Sequence, residues 1–165
     1  MLPAAIIFLT AMILICLWVI DMRVRLLPNI YVLSLALCGI AWQLETGFVY
    51  VQPLDMLYGA GLGAGSLLLI RFFANWYYKQ DALGLGDVKL MGAVGLWLGA
   101  EGVLIALTLG AFAGVLHGLI TAYHRKFKTG GALNLSSLEL PAGPGFIIGS
   151  VISALIVMGI IEGPW

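Results

Sequence analysis

Charged residues are scarce in this sequence of 165 residues. Lys, Arg, Asp and Glu together make up 10% of the chain, whereas hydrophobic residues make up 62%. A soluble domain carries roughly 25% charged and 45–50% apolar residues, so this composition excludes a soluble globular protein. The mean hydropathy of +1.07 points the same way. The sequence therefore predicts an integral membrane protein.

A net positive charge and paired cysteines are also lacking. Eight Lys and Arg residues balance eight Asp and Glu residues, so there is no basic field to attract nucleic acid, which we do not expect as a partner. Cys16 and Cys38 lie in apolar runs without CxxC spacing. Such cysteines usually behave as small buried hydrophobes, so we expect no disulfide, no metal and no other cofactor.

Apolar runs, separated by the few charges, predict a bundle of six transmembrane helices that forms a single all-α domain over residues 1–165. A transmembrane helix needs about 20 apolar residues. Five of the runs are close to this length, and the fourth is shorter. The predicted spans are about 2–20, 30–50, 56–73, a short fourth one after Lys89, 103–123 and 143–161.

The fourth span is short because only 11 uncharged residues lie between Lys89 and Glu101. At ~1.5 Å per residue they cover little more than half of a ~30 Å hydrocarbon layer. A complete span would have to begin near Ala82, with Asp87 at or inside the membrane boundary, where an unpaired charge costs a few kcal/mol. Otherwise Asp87 lies in a solvated loop and this span is thin or re-entrant.

The basic residues predict the orientation of the bundle. With six spans, every Lys and Arg falls on one side of the membrane. The charged residues on the opposite side are all acidic. Basic loops face the cytoplasm, so both termini are expected on the non-cytoplasmic side, with membrane lipid around the bundle. The basic residues are Arg23, Arg25, Arg71, Lys79, Lys89, Arg125, Lys126 and Lys128.

Two acidic residues, Asp21 and Asp87, are expected at the same cytoplasmic face. Asp21 closes the first span, and Pro28 disfavours helical backbone at the residue before it, so the chain should turn there. Two carboxylates a few Å apart can share one proton, leaving one as general base and the other as general acid for a water molecule. Helix dipoles favour Asp87 as the base, although the residues alone leave that assignment open. Gly84 and Gly86 permit close approach of an extended peptide.

Three blocks of the sequence carry most of its distinctive motifs, namely residues 21–29 (DMRVRLLPN), 81–90 (DALGLGDVKL) and 140–146 (LPAGPGF). In order and spacing, and over nearly the whole chain, they resemble the signature regions of type IV prepilin peptidases. The resemblance implies a GxGD-type aspartyl peptidase that removes the basic leader of prepilin or pseudopilin subunits at the cytoplasmic face of the inner membrane. The chain lacks the CxxC segment of bifunctional members, so it resembles the short form without zinc or N-methyltransferase activity.

The resemblance also implies roles for individual residues. The catalytic aspartates of the family fall on Asp21 and Asp87. The residues that match the surrounding motifs are Gly84, Gly86, Lys89, Pro28 and Asn29. The candidate substrate guides are Asp81, Glu139, Gly143 and Pro144.

Three other functions are compatible with part of this pattern. A small proton-coupled carrier would need a polar path across the bilayer, and the far halves of the spans show none. A presenilin-like intramembrane protease shares the GxGD element, but a Tyr-Asp pair would be expected where Ile20-Asp21 stands. A structural assembly protein would need neither aspartate. The pilin substrate and the oligomeric state are left open by the sequence.

Overall fold

The chain is all-helical in the computed structural model, which describes residues 2–79, 83–129 and 142–159. Within these residues there are five helices, α1 (Leu2–Val24), α2 (Asn29–Glu45), α3 (Pro53–Tyr78), α4 (Leu85–Thr129) and α5 (Gly143–Val157). In the same part of the chain, three helices, α1, α3 and α4, are long and apolar enough to cross a membrane, and α2 and α5 are apolar but shorter. The prediction of an all-α membrane protein is confirmed.

The helix boundaries follow from local sequence. α1 ends because Arg25 adopts a left-handed backbone with φ +55°, which is uncommon for a residue other than glycine. Pro28 is extended, with φ −63° and ψ 131°, and α2 begins at the next residue. Pro53 and Pro144 lie in the first turns of α3 and α5, where a helix loses no hydrogen bond to proline.

A break divides α4 at Gly99, which has φ +70° and ψ −172°. The residues before it, 85–98, form a segment about 21 Å long at ~1.5 Å per residue. This segment corresponds to the short fourth span expected from the charge spacing, and residues 100–129 contain the region expected as the fifth. The two regions are joined directly, without a loop.

Polar side chains from two other helices cap the break. Nε2 of Gln43 donates to the carbonyl oxygen of Trp97 at 2.9 Å, and the backbone N–H of Ala100 donates to Oδ1 of Asp55 at 3.3 Å. These bonds satisfy backbone groups that a helix end would otherwise leave unpaired. Gln43 and Asp55 thus bind the backbone on either side of the break.

Small residues bring the helices together around α4, as expected for packing in lipid. A Cβ atom at Gly59 of α3 would lie 2.5 Å from the carbonyl oxygen of Gly95, so only glycine permits this contact. Gly145 of α5 approaches Gly110 of α4 in the same way. A Cβ atom at Gly61 would meet nothing within 4 Å, so this glycine packs against no other described helix.

Candidate active site

Asp21 and Asp87, which are 66 positions apart in the sequence, line the same cavity of about 170 Å³. Asp21 lies in the last turn of α1 and Asp87 in the first turn of α4. Their side chains are only 5% and 7% exposed, respectively. The bundle thus brings two carboxylates to one cavity at one end of the molecule. The other residues around this cavity include Arg25, Leu27, Asn29, Gly84, Gly86 and Lys89.

Asp21 is held from one side by the start of α5. The backbone N–H of Gly143 donates to the Asp21 carboxylate. A Cβ atom at Gly143 would lie 2.6 Å from Oδ2 of Asp21, so a side chain at this position would collide with the carboxylate. Oδ2 itself has no hydrogen-bond partner among the described residues. A buried acceptor in this state can accept a hydrogen bond from a water molecule or a substrate N–H.

Asp87 is surrounded by the two glycines of its motif. A Cβ atom at Gly84 would lie 3.2 Å from Oδ2 of Asp87, and Gly84 is exposed. At Gly86 a Cβ atom would lie only 2.8 Å from Cβ of Leu27. Gly86 therefore lets the α1–α2 loop of the chain itself approach α4, while Gly84 leaves an open side beside Asp87.

A hydrogen bond between Lys89 and Asn29 joins two of the sequence motifs. Nζ of Lys89 donates to Oδ1 of Asn29 at 2.9 Å, across 60 positions of sequence. Both side chains are exposed at the rim of the cavity. Pro28 begins the turn into α2, and its carbonyl oxygen accepts from the N–H of Tyr31 at 3.1 Å. The second half of the first motif is thereby tied to α4 beside Asp87.

Arg71 is a further residue of this region, which the sequence marked only as one of the basic orientation charges. Its guanidinium donates to the carbonyl oxygen of Leu83, the residue before Gly84. The bond ties the entry of α4 to α3. No sequence motif surrounds Arg71, so the pattern of residues could not have indicated this contact.

The four expected substrate guides fall in two groups. Asp81 and Glu139 lie outside the described residues. Gly143 and Pro144 are buried in the first turn of α5, where Gly143 contacts Asp21. The structure thus gives Gly143 a position behind a carboxylate rather than on an exposed substrate path.

Helix dipoles do not divide the roles of the two aspartates. The sequence suggested Asp21 at a helix C-terminus and Asp87 at a helix N-terminus. In the structure the N-terminus of α5 also points at Asp21, through the backbone N–H of Gly143. Both carboxylates therefore lie beside the positive end of a helix dipole.

The arrangement has the components for acid–base chemistry on a water molecule. The cavity volume is far above the ~10–15 Å³ that one water molecule needs, so water can lie beside the two carboxylates. In residues 2–79, 83–129 and 142–159, no group of three or more His, Cys, Asp and Glu side chains could hold a metal ion.

Comparison with known proteins adds an independent observation. The family model described as the type IV leader peptidase family matches residues 7–119, a range that contains both aspartates. A prepilin leader peptidase/N-methyltransferase of Pectobacterium carotovorum subsp. carotovorum is 33% identical over 143 residues, which cover 87% of this chain and 48% of the relative.

Two other relatives carry the same name. The protein of Escherichia coli (strain K12) is 29% identical over 103 residues, which cover 62% of this chain and 45% of the relative. The protein of Neisseria gonorrhoeae is 32% identical over 125 residues, which cover 74% of this chain and 43% of the relative. The chain spans about half the length of the curated relatives it matches. No solved structure is significantly similar to it.

Proposed function

We propose, since the chain belongs to the type IV leader peptidase family, that it is a membrane aspartyl endopeptidase that removes the basic leader of prepilin or pseudopilin-like subunits. The observation that carries the proposal is the shared cavity of Asp21 and Asp87 at one end of a helical membrane bundle. The names of its relatives, which are prepilin leader peptidases/N-methyltransferases, support the substrate class.

The proposed reaction uses the two carboxyl groups in opposite protonation states. The ionised group takes a proton from a water molecule, whose oxygen attacks the carbonyl carbon of the scissile peptide bond. The protonated group donates a hydrogen bond to the carbonyl oxygen as negative charge develops there. When the tetrahedral intermediate collapses, the C–N bond breaks and the leaving nitrogen takes the proton that the first carboxyl group accepted from water. One carboxyl group is again protonated and the other ionised, so the pair is ready for another cycle.

The chain's own contacts support this use of the two aspartates. The Gly143 N–H orients the Asp21 carboxylate beside the cavity that Asp87 also lines. The Lys89–Asn29 bond and the Arg71–Leu83 bond hold the two entry segments beside the cavity.

The proposed topology has six spans, with the residues before and after the break at Gly99 as the fourth and fifth. Both termini lie on the non-cytoplasmic side of the inner membrane, and the cavity faces the cytoplasm. The placement of Arg23, Arg25 and Lys89 close to the two aspartates in sequence supports this orientation through the positive-inside rule. The activity proposed for these 165 residues is leader cleavage.

The carrier alternative finds no support in the described helices. A carrier needs polar groups that continue from Asp87 across the bundle. The buried residues that follow in the first segment of α4 are apolar, namely Val88, Leu90, Met91, Ala93 and Val94. Gln43 and Asp55, at the far end, are hydrogen-bonded to the backbone at the Gly99 break.

Purified protein in proteoliposomes tests the proposal directly. The probe is a synthetic prepilin segment that contains a basic leader, and mass spectrometry locates the cut. We expect one cut at the end of the leader by the wild type and none by Asp87→Asn. Asp55→Asn is the matched control, since it changes an aspartate at the opposite end of the bundle and should leave cleavage unchanged. An uncut probe with wild-type protein, or equal cleavage by Asp87→Asn, would overturn the proposal.

A further inference from the structure

An open groove lies between α2 and α3, with α4 as its floor. α2 and α3 both pack against α4 but hardly contact each other, which leaves a space of about 510 Å³. We call it the α2–α3 groove. Its walls and floor include Leu33 and Ala36 of α2, Ala60 and Ala64 of α3, and Gly92 and Ala93 of α4.

Small and apolar side chains line most of this groove. A Cβ atom at Gly92 of α4 would lie 3.3 Å from Cβ of Ala64 of α3. The floor and the α3 wall therefore pack closely at this point, and both residues are too small to fill the groove. In lipid, where no hydrophobic effect drives association between helices, small residues let a helix backbone approach closely. The floor from Lys89 to Leu96 extends about 10 Å, or two turns of a helix. The groove therefore fits an apolar helix better than a polar ligand.

One end of the groove opens at the candidate active site. Asn29 and Lys89 line both the α2–α3 groove and the cavity that contains Asp21 and Asp87. The hydrogen bond between Lys89 and Asn29 lies at this junction. A chain that leaves the groove at this end reaches the two carboxylates. This continuity favours a substrate over a second copy of the protein or a lipid chain, because neither of those needs to end at the aspartates.

We propose that the α2–α3 groove binds an apolar, membrane-embedded helix of the substrate itself. The bound helix leads past Asn29 and Lys89, and the extended segment that adjoins it carries the scissile bond to Asp21 and Asp87. The helix thereby sets which peptide bond meets the carboxylates. This inference rests on the proposed peptidase function and adds a second binding region to it, away from the reacting atoms.

Photo-crosslinking tests occupancy of the groove. A photoreactive amino acid replaces Leu33, which lines the groove, or Leu69 of α3, which does not. The two leucines are matched, since they are 60% and 61% exposed. Asp87→Asn is included so that the probe stays uncut. The probe is a reporter in which a basic leader is followed by an apolar helix long enough to span the membrane. We expect a crosslinked adduct with the reporter from position 33 and little from position 69. Equal adducts from both positions, or no adduct from position 33, would refute the proposal that the groove binds the substrate helix.

Filling the groove provides a second test. Ala64→Trp places a large side chain in the groove, whereas Gly65→Trp is the control, because a Cβ atom there would meet nothing within 4 Å. Each variant receives two reporters, the leader with an apolar helix and the same leader on a water-soluble carrier. In Ala64→Trp, loss of the helix contact should lower the ratio of helix-reporter cleavage to soluble-reporter cleavage by about tenfold or more. A tenfold change corresponds to ~1.4 kcal/mol. In Gly65→Trp the ratio should stay unchanged.

The two reporters separate the failure of this inference from that of the proposed function. If the wild type cuts neither reporter, the peptidase proposal itself fails. If the wild type cuts both and Ala64→Trp leaves the ratio unchanged, only the groove proposal fails. Should Ala64→Trp not accumulate in membranes, Ala36→Leu on the opposite wall provides the same comparison with a smaller change.

Discussion

Oδ2 of Asp21 lies 2.6 Å from the position that a Cβ atom at Gly143 would occupy. Real Cβ atoms do not approach an oxygen so closely, and the Asp21 side chain is only 5% exposed, with little room to withdraw. The start of α5, 122 positions after Asp21 in the sequence, therefore determines where this carboxylate can point. The requirement for glycine at 143 is a property of the candidate active site.

Replacement of Gly143 by alanine should lower leader cleavage without removing either aspartate. The new methyl group pushes the Asp21 carboxylate from its position, and misplacement of a reacting group by about 1 Å can cost roughly 10²-fold in rate. Steady-state cleavage of a prepilin reporter by equal amounts of membrane-inserted protein is the measurement. Gly61→Ala is the control, since a Cβ atom there contacts nothing within 4 Å. Wild-type cleavage by Gly143→Ala would show that this contact does not position Asp21.

Gly86→Ala should also impair cleavage, through the α1–α2 loop. Its Cβ atom would lie 2.8 Å from Cβ of Leu27, so the loop must move away from α4. Removal of the opposing side chain in the double variant Gly86→Ala/Leu27→Gly should restore part of the lost activity, because the colliding atom is gone. Reporter cleavage by the two single variants and the double variant checks this. If the double variant cleaves the reporter no faster than Gly86→Ala, displacement of the α1–α2 loop is not the cause of the lost activity.

The bond between Lys89 and Asn29 predicts non-additive effects. Lys89→Met and Asn29→Ala each remove the same hydrogen bond, so the double variant should lose about as much activity as the more damaging single one. The double-mutant cycle is measured as kcat/KM for the reporter. Strictly additive losses would mean that the two side chains act independently.

The break at Gly99 predicts a stability effect at the end of the bundle far from Asp87. Asp55→Ala removes the acceptor for the Ala100 N–H and should lower the free energy of unfolding by about 1 kcal/mol, as loss of a helix cap does. Asp55→Asn retains an oxygen acceptor and should lose less. Thermal unfolding in detergent compares the two variants, and equal stability of Asp55→Ala and wild type would exclude the capping role.

Composition predicted the helical membrane class, and the motifs contain several of the residues that line the cavity. Charges are rare in this chain, and Asp21, Asp87 and Asp55 each lie in a terminal turn of a helix. The contacts at those residues could not be predicted in the same way. Gly86 indicated that some part of a peptide comes close to it, but the sequence does not show that this part is Leu27. That contact depends on how the α1–α2 loop packs against α4. Arg71 indicated an orientation charge, whereas it also binds the Leu83 carbonyl.

The far end of the bundle shows a similar limit. Gly99 has no sequence feature that separates it from the glycines that pack helices. Its left-handed backbone and its capping groups depend on Gln43 and Asp55, which come from two other parts of the chain. The α2–α3 groove likewise depends on the gap between two helices, and single-helix periodicity carries no information about such a gap.

Cleavage of one prepilin reporter by Asp21→Asn, Asp87→Asn and the double variant, each inserted in membranes to the wild-type level, tests the central claim most directly. If the two carboxyl groups act on one water molecule, each single variant should lose at least about 10²-fold in rate, and the double variant should be no worse than the singles. Wild-type processing by either single variant, or losses that multiply in the double variant, would contradict a shared catalytic role for Asp21 and Asp87.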